Sequence, residues 1–409
     1  MSVTLLRRRP HYRNLWLADL VSTTGDWFSV VAVCALSATP SSASPAGGGA
    51  LSLAAVLAAH LAPQALLSPF AGWLADRLDR RRVLVATNLV EGLLTVAMTI
   101  AATKHALLAV QGLLLLRSSV SALREPAAGA AMPRLVSPNE LASANALGAA
   151  TWSVSFVVGM ALGGLVAEVG TSIALAVDAA SFFVATLLVA RLPSLPPREP
   201  EATPVPLHHT LLRDARQARR ALRDPELFVA TFAKAPIGVA AGAAWMAMNL
   251  LAQGGAVLGV AATLGLLQAV RGAGTGVGPM ALRVFGSRVR LETQLHVAAA
   301  AVGLGAVGLG LSPRAPLAFV SVLLWGMGGG ASWVLTTTRL QLKSEPSMRG
   351  RLIAVDAMGL ALGMSGGAFV TALLVDAGAS LTNATAALVV AAAVMWIAIS
   401  ARQPSRVLA

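Results

Sequence analysis

Gly72-Trp73-Leu74-Ala75-Asp76-Arg77-Leu78-Asp79-Arg80-Arg81-Arg82 is a short charged break between two long apolar runs. One run extends from about Leu51 to Ala75, the next from about Val83 to Thr103. Each has the length at which an α-helix crosses the roughly 30 Å hydrocarbon core of a bilayer. The break holds two carboxylates and four arginines, charges too costly to leave in hydrocarbon. It therefore marks a place where the chain leaves the membrane and turns back, and its arginines assign it to the cytoplasmic side.

The same alternation repeats outward along all 409 residues. The chain is 56% hydrophobic and 12% charged, whereas soluble domains carry about 25% charged residues. The apolar runs are continuous rather than alternating, which selects helices and excludes a membrane β-barrel. Twelve spans are expected: 15–37, 51–75, 83–103, 106–125, 142–167, 172–192, 228–250, 256–282, 292–311, 316–339, 352–375 and 380–401. Of the 31 Lys and Arg, 26 then fall in loops on one side, 2 (Lys104 and Arg314) on the other and 3 within spans. The net charge of +13 is thus a topological signal rather than a phosphate-binding face, and no nucleic-acid partner is expected. The single cysteine, Cys34, lies in an apolar run and is given no role. The basic N-terminus and the run after it are expected to be an uncleaved first span, because Asp19 and Asp26 interrupt any signal-peptide core.

The longest segment between spans is Pro-rich at first and basic from Leu207 to Arg223. It divides the chain into an N-terminal six-helix bundle (1–192), a cytoplasmic linker (193–226) and a C-terminal six-helix bundle (227–409). The Pro-rich part reads as a spacer. The basic part reads either as a solvated loop or as an amphipathic stretch on the anionic inner leaflet. Glycines at matched places in span five (Gly159, Gly163, Gly164) and span eleven (Gly359, Gly363, Gly366, Gly367) suggest helix packing in an internal repeat.

Ionisable residues inside spans are the functional candidates, since each costs roughly 2.5–3.5 kcal/mol or more to place there. They are Asp19, Asp26, Glu91, Arg117, Asp178, Lys234, Arg271 and Asp356. Asp26, near the middle of span one, reads as a proton-coupling carboxylate or as a structural one satisfied by Ser22, Thr23 and Ser29. Arg117 reads as a partner that tunes Asp26, as a contact for anionic substrate groups, or as half of a fixed ion pair. Glu91 is a further coupling candidate whose alternative is an interhelical hydrogen bond. Asp178 reads as structural, and Asp356 as part of the cytoplasmic gate. Lys234 or Arg271 could answer Asp356.

Gly72-x-Leu74-Ala75-Asp76-Arg77-x-x-Arg80-Arg81 resembles the signature between helices two and three of the major facilitator superfamily. Leu15-Trp16-Leu17 through Ser22-x-x-Gly25-Asp26-Trp27, Pro126-Ala127 through Met132-Pro133-Arg134-Leu135-Val136, Leu141-x-x-Ala144-Asn145-Ala146-Leu147, Asp178-Ala179-x-Ser181-Phe182 and Arg349-Gly350-Arg351 resemble the enterobactin-exporter-like subgroup of multidrug and siderophore exporters. Two positions depart from the pattern: Asp79 replaces a glycine, and Met160 replaces the proline of the span-five exporter signature. The resemblance implies an all-α fold of two six-helix bundles working by alternating access. It also implies a gating role for Gly72, Asp76, Arg77, Arg80 and Arg81. Asp76 would sit beside the start of span eleven, near Gly350 to Leu352, and the arginines would pair with acids such as Asp79 and Glu140.

The expected function is proton-coupled efflux of a small amphipathic molecule. The rivals are lipid or lysolipid translocation on the same fold and a non-transporting membrane sensor. No enzyme is expected, since no Walker loop, nucleophile–base set or metal-spaced cluster appears, and no cofactor or metal is called for. The expected partners are a small substrate, protons and the lipid bilayer. A monomer in the cytoplasmic membrane with both termini inside is expected.

Overall fold

The computed structural model describes residues 2–38, 49–197, 207–253, 259–285, 289–312 and 315–402. Among them no strand occurs. The helices are α1 (Ser2–Arg8), α2 (Pro10–Ala38), α3 (Ala50–Arg77), α4 (Arg80–Thr103), α5 (Leu107–Ala131), α6 (Leu141–Val169), α7 (Thr171–Val189), α8 (Leu207–Ala221), α9 (Pro225–Phe232), α10 (Lys234–Gln253), α11 (Val260–Phe285), α12 (Leu291–Gly310), α13 (Ala315–Lys343), α14 (Pro346–Asp376) and α15 (Leu381–Ser400).

Among the described residues, eleven helices are long and apolar enough to cross a membrane, the α9–α10 pair counting as one. The eighth expected span, α11, is a helix of 26 residues but is not among the eleven; it carries Arg271, Pro279 and five glycines. Hydrocarbon offers backbone amides no partner, so helices are the economical way through it.

The chain forms two compact units. One comprises Met1–Thr39, Leu66–Pro204 and Gly255–Ala269; the other comprises Pro40–Ala65, Val205–Gly254 and Val270–Ala409. In the first, α2 packs on α6 and α7, and α4 on α5 and α7. In the second, α10 packs on α14 and α15, and α12 on α13 and α15. Counting the membrane helices in order, every pairing of the first unit recurs six helices later, so the suggested repeat is visible in the packing.

Small residues make these contacts close, where lipid tails supply no net hydrophobic drive. A Cβ on Gly163 of α6 would stand 2.8 Å from the Cα of Phe28 on α2. A Cβ on Gly367 of α14 would stand 2.9 Å from the carbonyl carbon of Val239 on α10. Gly159 faces Trp27 of α2, whereas Gly164 meets Ala261 and Gly265 of α11, within the first unit.

The charged turn between α3 and α4 is tied to the segment after α7. Asp79 caps α4: its carboxylate accepts from the Arg82 amide at 3.1 Å, from the Ser194 hydroxyl at 2.5 Å and from the Leu195 amide at 2.9 Å. Partial burial opposes ionisation of this carboxyl. The Ser194 hydroxyl and the amides of Arg82, Leu195 and Arg81 outweigh it and hold the group below the usual carboxylate range. The Arg81 guanidinium donates to the Ala190 carbonyl at 2.6 Å.

Candidate functional site: a ladder of buried charges

α5 carries Arg117 and Arg124, and α2 carries Asp19 and Asp26, both pairs seven residues apart. Seven residues are nearly two helical turns, so each pair stands on one face. The two helices touch only lightly, and the long arginine side chains span the space between them. Arg117 places Nη2 3.3 Å from Asp26 Oδ1 and Nη1 2.5 Å from Asp178 Oδ2. Arg124 places Nη2 3.2 Å from Asp26 Oδ2, Nη1 3.5 Å from Asp19 Oδ1 and Nε 3.5 Å from Glu91 Oε2. The result is a ladder, Asp19–Arg124–Asp26–Arg117–Asp178, with Glu91 joined at the side. It links α2, α4, α5 and α7.

The ladder runs from a half-exposed end at Asp19 to a buried end at Asp178. Side-chain exposure falls from 46% at Asp19 to 18% at Asp26, 3% at Arg117 and nothing at Asp178. The buried end is satisfied by hydroxyls. Ser29 donates to Asp178 Oδ2, Ser181 contacts Asp178 Oδ1 at 3.4 Å, and Thr95 lies 3.4 Å from Arg117. Glu91 is fully buried, and neither of its oxygens has a hydrogen-bond partner among the described residues. Four carboxylates therefore face two guanidiniums. Fully ionised, the ladder would carry an uncompensated charge of two, which a low-dielectric bundle tolerates poorly.

Asp26, Arg117 and Glu91 thus meet in one cluster, as neighbours or through Arg124. The Ser22, Thr23 and Ser29 shell considered for Asp26 has other tasks: Ser22 bonds Arg124 at 3.3 Å, and Ser29 bonds Asp178. Asp178, read as structural, is the shortest ion-pair partner of Arg117. Arg124, counted among the loop arginines, lies inside α5 as the second rung. Its spacing of one heptad from Arg117, matching Asp19 and Asp26, was a signal available in the sequence.

In the second unit Lys234, where α10 begins, pairs with Asp356 of α14 at 2.6 Å, both side chains being buried. Its ammonium also donates to Thr337 at 3.1 Å and lies 4.2 Å from the Trp333 ring centre. Of the two cations considered for Asp356, Lys234 is the partner; Arg271 lies over the Trp325 ring at 4.8 Å. Asp356 is held inside the unit by a neutralising cation.

The gating set is less complete. The packing around Gly72 and the side chain of Asp76 lie outside what the structure describes. Arg77 covers the Trp73 ring at 4.3 Å, and the Arg80 side chain is buried. Glu140 is not the partner of the turn's arginines. It closes a capping box with Ser137 and pairs with Arg9 at 2.9 Å.

Comparison with known proteins gives the fold its context. Over 194 residues the chain is 26% identical to the uncharacterized MFS-type transporter YfiS of Bacillus subtilis (strain 168). That match spans 47% of this chain and 45% of the relative, so the chain matches about half the relative's length. Its structure is similar to the nucleoside transporter NupG, with a TM-score of 0.74 at 13% identity over 96% of this chain and 98% of that one. It is also similar to a bacterial homolog of the human lysosomal transporter Spinster, captured inward-facing and unoccupied. There the TM-score is 0.67 at 18% identity, over 96% and 98% of the two chains. The Major Facilitator Superfamily profile matches residues 15–368, and with its all-α architecture the chain belongs to that superfamily, as a polytopic membrane protein of transporter type.

Proposed function

We propose that this chain is a secondary active transporter that exports a small amphipathic molecule across the cytoplasmic membrane in exchange for protons, by alternating access. A drug, siderophore or secondary metabolite is the substrate class, and both termini face the cytoplasm. The observation that carries this reading is the charge ladder, with four carboxylates on two guanidiniums inside membrane helices.

Asp26 is the pivot. It is bonded to both arginines, yet its side chain keeps 18% of its surface exposed. A proton arriving there removes one negative charge and loosens the grip of Arg117 and Arg124 on α2. Asp178 keeps Arg117 in place meanwhile, through its own contact and that of Ser29. A substrate that favours the ionised ladder and a proton that neutralises it then compete, and competition for one site is the thermodynamic core of exchange. Uptake is disfavoured by the exporter-like residues around Asp26. A non-transporting sensor has no use for six buried or half-buried charges that each cost free energy to hold.

The test is transport in proteoliposomes under an imposed pH gradient, with ethidium, a catecholate siderophore and a lysophospholipid as probes. Gradient-driven movement of a dye or siderophore is expected, and Asp26→Asn should abolish the response to the gradient. Movement indifferent to the gradient would remove proton coupling. Movement of the lysophospholipid alone would make the chain a lipid translocator, and movement of nothing would favour a sensor.

A further inference from the structure

The basic stretch before the seventh membrane helix is ordered as α8, and its residues divide sharply between two faces. At 100° per residue, Arg213, Arg216, Arg219 and Arg220 fall within an arc of about 120°, which also includes Leu212. All five are exposed. The opposite side carries Asp214, Ala218 and Ala221. Ala218 is buried, and Ala221 packs with Leu222 against a cluster of Ala230, Leu340 and Leu352 from α9, α13 and α14. Asp214, the one acid on α8, pairs with Arg351 of α14 at 2.9 Å and lies 3.7 Å from Arg213.

These contacts set the height of the helix. Three residues, Leu222 to Asp224, separate α8 from α9, a reach of no more than about 14 Å. Arg351 stands in the second turn of α14. Both attachments are at the ends of membrane helices, where phospholipid headgroups begin. A helix held there by one face presents the other, with four guanidiniums and a leucine, to whatever lies at that level.

We propose that the Arg213–Arg216–Arg219–Arg220 face of α8 docks on anionic phospholipid headgroups of the adjacent leaflet, with Leu212 inserted at the edge of the acyl region. The charge complementarity is direct. Arginine forks match phosphodiester oxygens, and an exposed leucine among arginines suits an interface better than bulk water. The energy is electrostatic and therefore sensitive to lipid composition and salt. The proposal stands apart from the transport reading and does not depend on it.

The test uses the full-length protein in nanodiscs. Leu212→Cys is labelled with bimane; Cys34 is buried and stays unlabelled. Quenching by doxyl-labelled lipid is compared in phosphatidylcholine alone and in an equal mixture with phosphatidylglycerol. Quenching is expected to rise at least about twofold in the anionic discs and to fall back at high salt. Replacing the four arginines by Gln should erase the difference while the melting temperature of the protein in phosphatidylcholine stays unchanged. Equal quenching in both lipids, with the label reached equally by aqueous iodide, would overturn the proposal and leave a solvated face. A difference that survives the four substitutions would overturn it too.

Discussion

Removing the Arg117 guanidinium tests whether the ladder is an interdependent unit. Arg117→Leu keeps much of the side-chain volume and deletes the charge that bridges Asp26 and Asp178. At an effective dielectric of about 20, contacts of 2.5 and 3.3 Å correspond to gross attractions on the order of 7 and 5 kcal/mol. Most of this is offset by the cost of desolvating the guanidinium. What remains after one partner of a buried pair is removed is a loss of about 3–5 kcal/mol, because a carboxylate is stranded. Here the stranded group is Asp178, which has no exposed surface and only hydroxyls left to hold it. Asp178→Asn in the same chain removes the stranded charge and should recover at least about half of the loss, as coupled residues do in a double-mutant cycle. The assay is resistance to unfolding in mild detergent, followed by tryptophan fluorescence, for the wild type, both single variants and the double. Additive losses in the double variant would refute the reasoning, since they would mean that the two side chains do not share one interaction.

Two further outcomes follow from close geometry. A Cβ on Gly25 would stand 2.6 Å from Asp178 Oδ1 and 2.8 Å from Ser181 Cβ, so Gly25→Ala should cost about 1–3 kcal/mol and displace Asp178 from Arg117. The readout is loss of stability together with loss of transport, and an unchanged protein would mean that α2 and α7 are not held this close. Asp79→Ala should cost about 1 kcal/mol through the lost cap of α4 and expose its first turn to hydrogen exchange. The Asp79 carboxyl is held below its ordinary range, so its stabilisation is complete above the unfolded value near 3.9 and is lost only as pH falls through the lower folded value. The difference between wild type and Asp79→Ala should therefore be constant across neutral pH and vanish only in strong acid.

Much of the fold was legible in the chain because membrane spanning is a local property. Twenty apolar residues between basic loops identify a helix wherever its neighbours lie, and the turn from Gly72 to Arg82 identified the superfamily. The internal repeat showed in the glycines of spans five and eleven, since close helix approach demands small side chains. The candidate site was legible in the same way: an ionisable residue inside hydrocarbon is costly, so Asp26, Glu91 and Arg117 stood out as candidates by their surroundings alone. Arg124 did not, because at the end of an apolar run an arginine reads equally well as a loop residue.

What only the tertiary structure decided is who meets whom. Arg117 and Asp178 are 61 residues apart, Arg124 and Asp26 are 98 apart, and Ser29 and Asp178 are 149 apart. Their meeting depends on which faces of α2, α4, α5 and α7 turn toward one another. That choice made Asp178 a rung of the ladder, gave Asp356 to Lys234 and sent Glu140 to Arg9. Hydrophobic length is a sum over neighbours in the chain, and a sequence read in one dimension contains it. An ion pair is a contact across helices, set by rotation and depth in three dimensions, and the apolar composition that marks a span says nothing about either.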